Sequence, residues 1–159
     1  MTTRIVTASA DGAAPQAAAS LTRSLQEQLG DAKPALVMFF ASTAQPLEAV
    51  APVLTEAFAS ATVLGSSTAG EFTEKGDAKS SVVAVAVAGE FVVHGGLGTS
   101  LAASAEDAVK AAIADIPAAV EGYAHRTGLL LLDPLARQAV RRVGENPLVA
   151  DERHPDLRE

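Results

Sequence analysis

From Val63 to Phe72 the chain reads Val-Leu-Gly-Ser-Ser-Thr-Ala-Gly-Glu-Phe. Gly65 and Gly70 bracket three short hydroxyl side chains, Ser66, Ser67 and Thr68, and a carboxylate, Glu71, follows at once. Glycine lets the backbone take positive φ and lets another group come close. Hydroxyls donate and accept hydrogen bonds on short arms. This is the composition of a loop that faces a ligand, and equally of a tight turn or a bulge inside a strand. Glu71 is the segment's only ionisable group. At the edge of a pocket it would favour an amine or another cation; the plainer alternative is a solvated carboxylate at a strand end.

Catalysis by this segment asks for more than hydroxyls. A serine nucleophile needs a base within hydrogen-bond reach and a third group to orient that base, and no base is evident here. The segment is not a Gly-x-Ser-x-Gly elbow, because Ala69 stands two residues after Ser67. It is not a phosphate-binding loop either, since Glu71 occupies the place of the lysine and would repel phosphate. Gly95-Gly-Leu-Gly98 fails as a dinucleotide fingerprint, because the third glycine is replaced by Leu101. His94 stands just before those glycines and could face a space they open. His125 and His154 are too distant in sequence to form a metal cluster with it. Asp133-Pro134 follows an apolar run, where open α/β sheets present ligand groups; a turn-initiating aspartate is the plainer reading.

The Gly65–Glu71 segment resembles the glycine-cysteine-serine-threonine-alanine-glycine-glutamate signature of the FIST N-terminal domain, a sensory module of signalling proteins. Gly65, Ser67, Thr68, Ala69, Gly70 and Glu71 match it in order, and Ser66 stands where the family usually has cysteine. Ala35–Ser42 looks like the family's preceding buried strand and Leu129–Ala136 like a later one. The resemblance spans about residues 1–136. Family members usually continue into a second half and a C domain, so it implies the first part of a sensory domain, 1–136, followed by a tail, 137–159. It further implies a small-molecule ligand, with amino acids proposed, and a signalling partner protein. Asp133 matches an aspartate of the family's similar segment. A subset of FIST-like proteins binds haem and senses nitric oxide, for which His94 would have to serve as axial ligand.

Composition narrows the field. A chain of 159 residues has the length of one domain and can bury a core. Aromatics are few and alanine is abundant, so helices should pack close to a sheet. The net charge of −7 and the absence of any basic cluster before residue 125 argue against nucleic acid. With no cysteine, disulfides, thiolate chemistry and sulfur-ligated zinc are excluded. No signal peptide precedes Arg4 and no apolar run is long enough to span a bilayer, which makes the cytoplasm the expected compartment.

The elements that must hold the segment follow from periodicity. Arg4–Ser9 is a strand rich in β-branched residues. Gln16–Leu29 is a helix with Leu21, Leu25 and Leu29 on one face, Pro15 in its first turn and Gly30 as its stop. Leu36–Phe40 reads as a strand covered on both faces. Pro52 restricts the next helix to about 51–59, after a loose turn at 46–50. A strand begins at Val63–Gly65, and Lys75-Gly-Asp-Ala is a polar turn. Val82–Val87 and Phe91–Gly95 form a hairpin. Ser104-Ala-Glu-Asp opens a helix whose apolar face, Ala105 to Ile116, ends at Pro117. Leu129–Leu132 is a last buried strand. The fold class is α/β: a mixed, partly parallel sheet with a β-hairpin and flanking helices.

Residues 137–159 hold five Arg and five acids and little apolar periodicity, the pattern of a disordered tail. An uncovered sheet would then promote self-association, so a homo-oligomer is one expectation. The reading is a non-catalytic, small-ligand-binding sensory module without a resident cofactor. Ligand contacts are expected from Gly65, Ser66, Ser67, Thr68, Gly70, Glu71, His94 and Asp133. Two alternatives stay open: a haem-linked gas sensor through His94, and a hydrolase using Ser67 or Thr68.

Overall fold

Leucines four apart, at Leu21, Leu25 and Leu29, make one apolar stripe, and the computed structural model shows what that stripe packs on. The structure describes residues 2–68, 71–73, 76–78 and 80–132, in two compact units, Met1–His94 and Gly95–Glu159. In the first unit, α1 (Ala14–Leu29) carries Pro15 in its first turn and ends at Gly30, whose N–H donates to the Gln26 carbonyl at 3.0 Å with φ at 56°. Leu21, Leu25 and Leu29 are buried with Ala17 and Ala18. Alanines on this face let the helix lie close to the sheet.

The sheet of this unit runs β1 (Arg4–Asp11), β6 (Ser81–Ala88), β2 (Leu36–Ser42), β3 (Thr62–Thr68) in spatial order. β1, β2 and β3 are mutually parallel, and β6 lies antiparallel between β1 and β2. A short hairpin of β4 (Glu71–Thr73) and β5 (Gly76–Ala78) lies between β3 and β6 in the chain, with β4 packed near β6, β1 and β2. The α/β class, the mixed sheet and the flanking helices agree with the sequence reading.

α2 (Leu47–Ala57) runs through Pro52, where the sequence suggested a turn and a shorter helix. An interior proline costs a helix about 3 kcal/mol. Val50 and Leu54, both fully buried, offset this, each worth about 1.5–3 kcal/mol on burial. Both helices sit on one face of the sheet, over Val37, Phe39, Ala41, Val82, Ala84 and Ala86. β2 therefore alternates buried and half-buried positions, and is not equally covered on both faces.

Three further expectations change. Val82–Val87 does not pair with Phe91–Gly95: β6 already has a neighbour on each edge, and residues 91–100 have no regular structure. The hairpin instead falls at β4–β5, where a polar turn was expected. Leu129–Leu132 is not a buried strand. Within the second unit these residues have no ladder partner among the described residues, and all four leucines are exposed.

In that second unit α3 (Ala105–Ile113) starts as its sequence suggests, with the Ser104 hydroxyl accepting from the Asp107 N–H at 3.2 Å. It buries Ala105 and Ala108, while Val109, Ile113 and Ile116 are exposed. The Gly95–Gly98 run has a local purpose. A β-carbon on Gly96 would lie 1.7 Å from the Ala112 carbonyl oxygen, and one on Gly98 1.9 Å from that of Ala108. Alternate residues of an extended chain thus meet successive turns of α3, and only glycine fits between.

Candidate functional site

The hydroxyl-rich segment is strand as far as Thr68. β3 stays in unbroken parallel register with β2 from Leu36↔Thr62 to Ser42↔Thr68, so there is neither a loop nor a bulge at Gly65–Thr68. Gly65 does not have positive φ. Its reason for being glycine is packing: a β-carbon there would meet the Phe39 ring at 2.3–2.5 Å. The strand is favoured because β2 continues through Ala41 and Ser42 and offers backbone partners to whatever lies beside it.

Strand geometry separates the three hydroxyls, because successive side chains point to opposite faces. Ser67 shares a face with Gly65, Phe39 and Ala41 and is exposed. Ser66 and Thr68 lie on the other face beside Phe40 and Ser42, both half-buried. Thr68 is also tied by its backbone: its carbonyl accepts from the Thr43 N–H at 3.1 Å.

The parallel strands all end on one rim. Gln45, three residues beyond β2, is buried, and its Nε2 donates to the Gly12 carbonyl at 2.8 Å and to the Ser80 carbonyl at 2.7 Å. One amide thereby ties the exit of β1, the exit of β2 and the entry of β6. Ser80 has φ of 59°, uncommon for a residue with a β-carbon. The Ser42 hydroxyl accepts from the Ala44 N–H at 3.3 Å and shapes the turn between them. Exposed Asp11 closes β1. This rim carries small polar groups and a carboxylate, and no Lys or Arg among its described residues.

Sequence reasoning did not single out Gln45, Ser42, Ser80 or Asp11. For Asp11, Ser42 and Gln45 the available signal was positional, since polar residues at and after the ends of predicted strands collect at the carboxyl edge of an α/β sheet. Ser80 precedes the antiparallel β6 and carried no such signal.

The remaining expected site residues divide. The Glu71 backbone opens β4, opposite Ala78. Gly70 and Asp133 lie outside the described residues. His94 is exposed and stands away from the rim. The Thr62 hydroxyl donates to the carbonyl of neighbouring Val93 at 3.5 Å, which places His94 at the amino end of β3. Seven residues of strand put that end about 20 Å from Thr68. His94 and the hydroxyls are therefore not brought together, and the only histidine of this unit is no base for Ser67 or Thr68. Among the described residues no group of three or more His, Asp or Glu is placed to hold a metal. No described helix is long and apolar enough to cross a membrane.

Among known families, the model of the FIST N domain fits residues 35–151. It begins just before β2, takes in β3 and the signature segment, and runs fifteen residues past Ala136 into the part of the chain that composition set apart as a tail. No curated protein and no solved structure matches the chain.

Proposed function

The chain belongs to the FIST N domain family, a family of sensory domains in signal-transduction proteins, and we propose that it binds a small ligand at the carboxyl ends of β2 and β3. Occupancy is then relayed to a signalling partner protein. The observation that carries this reading is the location of the signature segment. Gly65–Thr68 leads into the rim where three parallel strands end, the position at which open α/β sheets present groups to ligands.

The rim also supports a ligand class. The hydroxyls of Ser42, Ser67 and Thr68 offer acceptors there. With Asp11 farther along the same edge, three strands from β3, and no Lys or Arg among the rim's described residues, the field favours an ammonium group over a phosphate. We therefore read the ligand as an amino acid or a small amine. Ser67, the most accessible of the three signature hydroxyls, makes a direct contact in this reading. The serines and the threonine act as hydrogen-bonding groups, and no covalent step is assigned to them.

Calorimetric titration of the full chain against the twenty common amino acids, ethylamine and putrescine tests this. One or more should bind, and Ser67→Ala should weaken binding about tenfold, the loss of one hydrogen bond of about 1.4 kcal/mol. Asp11→Asn, three strands from β3, should weaken the cationic probes only slightly, through its field, and a neutral one not at all. Absence of binding by every amine, or affinity unchanged in both variants, overturns the assignment of the rim.

A further inference from the structure

Among the described residues β3 is an edge strand, and its hydrogen bonds reveal which backbone groups face outward. The Thr62 N–H donates to the Ala35 carbonyl, and the Thr43 N–H donates to the Thr68 carbonyl. With the parallel register between those ends, the even-numbered residues of β3 turn their amides toward β2. Val63, Gly65 and Ser67 turn theirs away, and leave N–H and C=O groups along an edge that no other described strand occupies.

The opposite edge of the sheet is protected. By the same alternation the Thr7 carbonyl of β1 points outward, and Gln28 Nε2 of α1 donates to it at 2.8 Å. Arg4, at the start of β1, donates through Nη1 to the Leu29 carbonyl at 2.6 Å, and Asp11 closes the strand. Natural edge strands are kept from pairing by charges, prolines, bulges or a covering group. β1 has charged ends and a cover. β3 has no charged residue, no proline and no break in register between Thr62 and Thr68.

We infer that this chain self-associates through β3, two copies pairing antiparallel about a two-fold axis at Gly65 to form one continuous eight-stranded sheet, four strands from each copy. In this register Gly65 meets its own counterpart, and Val63 of each copy meets Ser67 of the other, which is the isologous contact a two-fold dimer requires. A second copy suits the edge because the seam is neutral although the chain carries a net charge of −7. Glycine at the axis sets no β-carbon between the helix-bearing faces, and the Phe39 ring already lies over Gly65. Aromatic side chains stabilise edge glycines in this way. The pairing does not rest on the ligand assignment.

Analytical ultracentrifugation and hydrogen exchange on the full chain test it together. A concentration-dependent dimer is expected, with the amides of Val63, Gly65 and Ser67 slowing as it forms, while those of Leu64 and Ser66 are slow at every concentration. Ser67→Pro removes an outward N–H and no bond of the monomer's own ladder. Ser67→Lys puts a charge on the edge. Both should give monomers with wild-type circular dichroism. A wild-type chain that stays monomeric at its highest soluble concentration overturns the inference, as does a dimer that both variants leave intact. Should either variant fail to fold, the exchange pattern of the wild type decides: fast exchange at Val63, Gly65 and Ser67 in the dimer places the interface elsewhere.

Discussion

The Phe39 ring occupies the space that a β-carbon on Gly65 would fill, its nearest ring atoms 2.3, 2.4 and 2.5 Å from that point. The two residues are register partners on adjacent parallel strands, and Phe39 is buried among core residues. Gly65→Ala should therefore destabilise the fold by about 1–3 kcal/mol through overpacking. Phe39→Leu in the same chain should recover part of that loss, so the double variant costs less than the sum of the singles. Urea unfolding of the three variants measures this coupling. Strict additivity would mean that the ring moves aside freely.

Thr22 is the reverse case, a buried group that gains nothing from its polarity. Its hydroxyl is buried on α1 with no hydrogen-bond partner among the described residues, and an orphaned polar group costs about 1–3 kcal/mol. Thr22→Val keeps the shape and removes the hydroxyl, and should raise stability by about 1 kcal/mol. A thermal melt that shows no gain, or a loss, would mean that water or another group satisfies the hydroxyl in solution.

Gln45 joins three chain segments through two bonds from one nitrogen. Gln45→Leu keeps the volume but leaves the Gly12 and Ser80 carbonyls without their donor. A loss of about 2 kcal/mol is expected, together with faster hydrogen exchange around residues 11–12 and 80–81. Exchange unchanged at these positions would show that the amide does not hold the rim together.

Gly98 tests the second unit on its own. Its α-carbon faces the Ala108 carbonyl, a backbone atom that cannot rotate away as a side chain can. Gly98→Ala should disorder the contact between residues 96–98 and α3, seen as loss of exchange protection across 105–113. Residues 2–68 serve as the internal reference, since they form another unit. Full protection of α3 in the variant would disprove the close approach.

Much of this was legible from local sequence alone. The spacing of Leu21, Leu25 and Leu29 with Gly30 behind them marked α1, because helix periodicity and termination are properties of neighbouring residues. The run after Pro34 marked β2, and Ser104 marked the start of α3. The order Gly65-Ser-Ser-Thr-Ala-Gly-Glu points to the family by itself. What local sequence could not show was the partner of each segment. Gly, Ser and Thr are compatible with loop or strand, and β2 made Gly65–Thr68 a strand by offering it an edge. That one long-range pairing moved Ser67 to the face opposite Ser66 and Thr68, made Gly65 a seat for Phe39 and not a loop glycine, and left His94 at the far end of β3. Pro52 stayed inside α2 for the same reason: the burial of Val50 and Leu54 in a core built from distant residues outweighs a local preference. Backbone propensity is set by adjacent atoms, whereas strand order, burial and the convergence of Gly12, Gln45 and Ser80 on one rim depend on contacts between residues tens of positions apart.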